Sequence, residues 1–305
     1  MFKTWEDQTI WHEYYEEFPC FSEQTVREGC QPRKMEHAVR SEKAIILIHG
    51  LSDSPHFLRA IGEFFHFKLG YDVYLPLLQG HGLNSPAKMK GVSLAAWKEN
   101  VEFAISVAST SENSISIGGL STGGTLGFYM SAVNPAVNGD LYLFSAALGL
   151  PEGWLGIGGT VREFLLRLPF IGLLDGRRKP LIGPNPYRYD YVSLSGAKEL
   201  CRLISEVKNL IRSFRINKNY KKRIFSVSSE YDDVVSLGVI NRLGQIAAKD
   251  QFVQQIIRKS LKVEHACVVL KSPIYAADTP FGEPPLEKSN PEFPQIMADI
   301  RGFQN

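Results

Sequence analysis

Residues 114–124 read Ser114-Ile115-Ser116-Ile117-Gly118-Gly119-Leu120-Ser121-Thr122-Gly123-Gly124, and a helix-capable run, 125–132, follows. Inside lies one Gly-x-Ser-x-Gly, from Gly119 to Gly123, preceded by the β-branched alternation at 114–117. Alone the pentapeptide says little, because loops collect glycine and serine. Between a strand and a helix it predicts a nucleophile elbow, a turn so tight that the serine sits in sparsely populated backbone space. The residues two before and two after the serine then approach too closely for a Cβ, so both have to be Gly or very small. Such a turn lifts the Ser121 hydroxyl above the sheet edge and aims the following amides at any oxyanion formed there.

A serine of this kind needs a base and an acid, and in the plan to which a strand–elbow–helix serine belongs both follow it in chain order, on loops after later strands. Of the seven histidines, His12, His37, His49, His56, His66, His81 and His265, only His265 lies beyond Ser121. The plan therefore makes His265 the base, on the loop 262–266 past an expected strand at 253–257. Taken alone, a histidine near the C-terminus reads as a surface residue. Its being the one candidate in the required interval reverses that.

The acid should fall between the two. Residues 223–228 (Arg-Ile-Phe-Ser-Val-Ser) predict a buried strand, and Ser229-Glu230-Tyr231-Asp232-Asp233-Val234-Val235 comes directly after it. Asp232 is the choice, because Asp-x-Val-Val places the apolar pair where the chain re-enters the core. Asp233, which also suits a helix N-cap, is the fallback, and Glu230 comes third. The other eligible loop, 145–150 after a strand at 140–144, contains no carboxylate.

These roles define a reaction. Ser121 Oγ attacks an acyl carbonyl, the His265 imidazole takes its proton, and Asp232 orients the ring and stabilises its charged form. The developing oxyanion needs two preorganised donors. One is the amide of Thr122, next after the nucleophile. The other comes from the loop after the continuous apolar run 44–48, which reads as a parallel strand buried on both faces and ends in His49-Gly50-Leu51-Ser52. A glycine there lets the backbone swing until the Leu51 amide points into the site. His49 reads as a structural loop histidine rather than a second base, since Ser121 already has a partner.

His49-Gly50, then Gly80-His81-Gly82 after a strand at 73–76, Gly-Leu-Ser-Thr-Gly, the Asp-x-Val-Val loop and the late histidine together resemble the α/β-hydrolases. The branch most similar is the carboxylesterase and monoacylglycerol-lipase-like, or serine aminopeptidase-type, group. The resemblance covers roughly residues 40–303. It implies an α/β-hydrolase fold: a mostly parallel central sheet with helices on both faces and an inserted helical cap. It also implies Ser121, Asp232 and His265 as catalytic triad, Leu51 and Thr122 as oxyanion hole, and His81 as a structural or pocket-lining residue. Thr122 stands where many relatives carry Met or Gln, which keeps the amide but alters the pocket. Residues 1–34 have no counterpart in that pattern.

Composition agrees with one α/β domain. The chain has 305 residues, 44% of them hydrophobic, enough to bury one substantial core. That domain is expected over 35–305, with a cap insertion about 150–194 and a helical extension at 1–34. A net charge of +2 with dispersed basic residues gives no reason to invoke nucleic acid. The short runs Arg177-Arg178-Lys179 and Lys221-Lys222-Arg223 read as a solvated loop and a strand entry. Cys20, Cys30, Cys201 and Cys267 lack metal-ligand spacing, so neither metal nor cofactor is expected; a Cys20–Cys30 bridge stays open. The N-terminal residues lack the apolar core of a secretory signal, and with scattered cysteines this suggests a cytoplasmic protein.

Helices are expected at 55–69, 93–109, 236–249 and 292–303 from their apolar spacing, and a long surface connection at 271–290. About eighty residues separate the strands near Asp140 and Arg223, too many for one crossover. The excess is read as the cap, with the crossover helix at 195–214. Its apolar stretch 154–174 carries Arg162, Glu163, Arg167 and Pro169, which rule out a spanning helix. It reads as a cap helix packed on the core, an acyl-pocket wall, or a lid touching lipid transiently, with no stable membrane insertion. The aromatic residues Trp11, Tyr14, Tyr15 and Phe18 suggest a helix at 5–18 packed on this body or on a second subunit.

The sequence thus points to a cofactor-independent serine hydrolase of small acyl esters with an apolar acyl part. An aminopeptidase-like amide hydrolase is the alternative, needing an ammonium-binding carboxylate in the cap from Glu152, Glu163 or Asp175. A catalytically silent binding module on the same fold is the third reading.

Overall fold

The structure, a computed structural model, describes residues 9–110, 113–149, 183–217, 220–247, 251–280 and 282–304. The apolar stretch 154–174 expected in the cap, and with it Glu152, Glu163 and Asp175, lies outside the described residues.

In chain order the elements are α1 (Glu13–Glu17), β1 (Arg33–Met35), β2 (Lys43–Ile48), α2 (Arg59–Leu69), β3 (Asp72–Leu75), α3 (Leu94–Ala108) and β4 (Ser114–Leu120). There follow α4 (Thr122–Val133), β5 (Leu141–Phe144), α5 (Leu194–Asn217), β6 (Ile224–Ser229), α6 (Leu237–Asn241), β7 (Phe252–Ile257) and α7 (Phe293–Gln304). The strands form one sheet in the order β1-β3-β2-β4-β5-β6-β7, parallel except for β1, which runs antiparallel to β3.

Alternating side chains send each strand into two cores, as the two-residue period of a strand requires. Ala44, Ile46 and Ile48 of β2 face one cluster with Trp97 and Val101 of α3, Leu126 of α4 and Leu203 of α5. Ile45 and Leu47 face the other, with Ile61 and Phe65 of α2 and Ile296 and Ile300 of α7. The result is a three-layer α/β architecture. Ser93 starts α3 as an N-cap, its hydroxyl accepting from the Ala96 N–H at 3.2 Å.

The segment before β1 belongs to this body. Trp11 and Tyr14 are fully buried, and the Trp11 ring stacks on Phe103 of α3 at 5.5 Å. Among the described residues its helix is only the short α1. The helix expected over 236–249 is also shorter: α6 ends at Asn241 and passes into a 3₁₀ turn, Arg242–Gln245. Gly238, Gly244 and the β-branched Val239 and Ile240 are weak helix formers, which accounts for its short length. All four cysteines are thiols, so no bridge joins Cys20 to Cys30.

Candidate functional site

The strand order places the site. From β2 the chain steps outward to β3 and then crosses back over β2 to β4, so the carboxyl ends of β2 and β4 flank the point where the order reverses. In open α/β sheets that crevice is where ligands bind. The loops after β2, β4, β6 and β7 carry Leu51, Ser121, Asp232 and His265.

Ser121 sits between the end of β4 and the start of α4 with φ 53° and ψ −115°, a region L-residues rarely occupy. Its neighbours explain how it is held there. A Cβ on Gly119 or on Gly123 would overlap the Ile48 carbonyl oxygen, so neither position tolerates a side chain. The Ser121 N–H is fixed to the Phe144 carbonyl at 3.0 Å. Ser121 is 7% exposed. Among the described residues the non-glycine positions with positive φ are Ser52, Ser121, Ser145 and Lys262, all on loops at this one edge of the sheet. Backbone strain that gathers at one place is a mark of a functional site.

The two amides expected to face an oxyanion share their peptide units with the Gly50 and Ser121 carbonyls. In a trans peptide the C=O and N–H point opposite ways, so tying down the oxygen aims the hydrogen. The Ser121 oxygen accepts from the Thr125 N–H at 3.1 Å, the Thr125 hydroxyl at 3.2 Å and the Ala147 N–H at 3.1 Å. The Gly50 oxygen accepts from the Asp53 N–H at 3.3 Å and from His49 Nδ1 at 2.8 Å. The tautomer of His49 follows from its other nitrogen. Nε2 accepts from the Leu78 N–H at 3.1 Å, so the ring hydrogen is on Nδ1. Burial pushes the imidazole well below its ordinary range, and the neighbouring His81 adds to this. His49 is thus a neutral brace for the Leu51 peptide.

His265 and Asp232 meet. Nδ1 of His265 lies 2.6 Å from Asp232 Oδ2, the Asp232 side chain is wholly buried, and that of His265 is 16% exposed. The other Asp232 oxygen accepts from the Val234 N–H at 2.8 Å, and the Ser229 hydroxyl donates to the Val263 carbonyl at 2.7 Å, tying the two loops together. Among the described residues the buried His265 Nε2 has no hydrogen-bond partner. Asp233 is exposed, and Glu230 is engaged elsewhere, accepting from the Lys259 N–H at 2.8 Å. Only Val235 of the apolar pair is buried; Val234 is 44% exposed.

No family model matches the chain. A thermostable monoacylglycerol lipase from Bacillus sp. (strain H-257) is 30% identical over 176 residues, 56% of this chain and 66% of that enzyme. A solved structure from work on the metagenome-derived lipolytic enzymes LipS and LipT superposes with a TM-score of 0.66 at 17% identity, covering 92% of this chain and 99% of that one. The fold is that of the α/β-hydrolases. A soluble variant of monoglyceride lipase from Saccharomyces cerevisiae, solved with a substrate analogue, agrees at a TM-score of 0.60 and 12% identity over 89% of this chain and 90% of that one.

Two other groups of histidines are held in structural contacts. His81 is fully buried, its Nδ1 within 3.1 Å of the Gln79 carbonyl, and burial pushes it down to about 4. His37, His66 and Asp72 stand close enough to suggest a metal site. However, the Asp72 oxygens already accept from the His37 N–H at 2.8 Å, the Ser41 N–H at 3.0 Å and His37 Nδ1 at 2.9 Å, which accounts for the group as a loop anchor. Sequence reading missed Asp53 and Arg188. Asp53 is two residues past Leu51, a visible signal; Arg188, near the end of the expected cap insertion, gives none. No helix among the described residues is long and apolar enough to cross a membrane.

Proposed function

We propose that this protein is a serine hydrolase of carboxylic esters with an apolar acyl part. Ser121 is its nucleophile, His265 the base and Asp232 the orienting acid; the Leu51 and Thr122 amides form the oxyanion hole. The reading rests above all on one observation: the 2.6 Å contact of His265 Nδ1 with a buried Asp232 carboxylate, at the same sheet edge as an elbow serine held at φ 53°. With Nδ1–H donated to Asp232, Nε2 is the basic nitrogen, able to take the Ser121 proton and return it to the leaving alcohol. Attack on the carbonyl forms an acyl-enzyme, and water repeats the cycle to release the acid. No metal or cofactor enters this scheme. A cytoplasmic setting is part of the proposal and fits four cysteines that are all thiols.

The 30% identical relative bears the name monoacylglycerol lipase, so monoesters of glycerol are the first natural substrate class to assay. Purified protein should cleave p-nitrophenyl esters, with the acyl series from acetyl to palmitoyl locating its preferred length. Ser121→Ala should lower turnover by about 10⁴-fold or more. Equal activity in the mutant refutes the assignment, and faster cleavage of aminoacyl amides than of esters would move it to the aminopeptidase-like reading.

A further inference from the structure

The described chain that begins at Gly183 packs against the loop after β2. The Tyr189 N–H donates to the Ser52 carbonyl at 2.9 Å, and its hydroxyl meets the Gly80 carbonyl at 3.0 Å and the Leu83 N–H at 2.8 Å. One residue earlier, the Arg188 guanidinium reaches carboxylates on two other loops. Its Nε lies 3.4 Å from Asp53 Oδ1, and Nη1 donates to Glu287 Oε1 at 2.8 Å. Asp53 belongs to the loop that presents the Leu51 amide, and Glu287 to the connection that follows His265. Their side chains are 4% and 11% exposed.

The Asp53 carboxylate and the nucleophile both border Gly50. A Cβ on Gly50 would overlap Asp53 Oδ2 and lie 3.3 Å from Ser121 Cβ. Burial raises the Asp53 carboxyl, Arg188 and then His265 hold it down, and Glu287 pushes it up. Cys267, whose thiol lies 3.6 Å from Glu287 Oε2, and Glu264 complete the titratable neighbours. Without the guanidinium, two like charges would stand buried beside one another. Such a pair relieves itself by moving or by taking up a proton. The Asp53 N–H donates to the Gly50 oxygen at 3.3 Å, so a shift of the Asp53 backbone reaches the Gly50–Leu51 peptide.

We propose that Arg188 is a positioning residue for ester hydrolysis, clamping the oxyanion loop through Asp53 and the connection after the base through Glu287. The role rests on the serine-hydrolase reading given above. It needs the planar fork as well as the charge, since Nε and Nη1 address different carboxylates.

The experiment measures kcat and KM on a p-nitrophenyl ester for wild type, R188M, R188K, D53N and R188M/D53N, with rates expressed per Ser121 labelled by a fluorophosphonate probe. R188M should lose about tenfold to a hundredfold in kcat with KM within about threefold, since an oxyanion donor is displaced rather than a binding contact. R188K should fall between. The double variant should come within about threefold of D53N alone, because no unbalanced carboxylate is left at the oxyanion loop. A merely structural arginine would lower the labelled fraction and the melting temperature but leave kcat per labelled site unchanged, and that result overturns the proposal. So do losses in R188M and D53N that multiply in the double variant. If R188M does not fold, R188K and the double variant decide. A wild type that neither labels nor hydrolyses refutes the hydrolase reading and this role with it; one that does both, with R188M equal to it, refutes this role alone.

Discussion

Replacing His49 by Gln tests whether the Leu51 amide is aimed by a buried brace. The imidazole spans two backbone groups, accepting from the Leu78 N–H at 3.1 Å and donating to the Gly50 oxygen at 2.8 Å. A glutamine amide can satisfy one of these at a time, leaving the other buried and unmatched at about 1–3 kcal/mol. If the Gly50 oxygen is released, the Leu51 N–H loses its direction. Loss of one oxyanion donor costs about 10²–10³ in kcat, so H49Q should fall by about 10² with KM little changed on a p-nitrophenyl ester.

The same substitution has a signature in acid. Burial holds His49 well below its ordinary value of 6.5, so folded protein keeps it neutral while unfolded chain protonates it. Below pH 6.5 the unfolded state therefore binds more protons, and stability falls with pH by up to about 1.4 kcal/mol per unit for this group. His81, pushed down to about 4, adds the same trend between 6.5 and 4. Melting temperatures from pH 7 to 4.5 should fall less steeply for H49Q than for wild type. A kcat within threefold of wild type, or an unchanged slope in acid, would refute the brace.

Two further outcomes follow from the same geometry. D232N should reduce kcat by about 10⁴ on an ester substrate through the wrong imidazole tautomer, whereas D233N, at an exposed position, should stay within about threefold; a larger loss in D233N would exchange the two. Gly123→Ala should fold poorly, because its Cβ overlaps the Ile48 carbonyl and lies 2.5 Å from the His49 oxygen. A melting temperature equal to wild type by calorimetry would show that the elbow is slacker than these contacts imply.

Much of the architecture was written locally. The apolar run 44–48 reads as buried on both faces, and that part of β2 is; the spacing in α2, α3 and α7 puts one apolar stripe against the sheet, as period 3.6 requires. The elbow was legible because two glycines and a serine between strand and helix leave few backbone solutions. Ser121, Asp232 and His265 could be singled out because each falls on a loop past the end of a recognisable strand.

What the sequence left open were questions of direction and contact. Asp232 and Asp233 are chemically equal in the string, and only the path of the loop buries one against His265 and turns the other to solvent. The N-terminal aromatics could have met this body or another copy; Trp11 stacked on Phe103 fixes them here, across a separation no local pattern encodes. Arg188 was invisible for the same reason: its partners Asp53 and Glu287 lie more than a hundred positions before it and about a hundred after it in the chain. Local propensity sets which elements form and which residues face inward. Which charge ends up beside which is decided only when distant loops are brought to one edge of the sheet, because Coulomb and hydrogen-bond energies depend on distance in space and not along the chain.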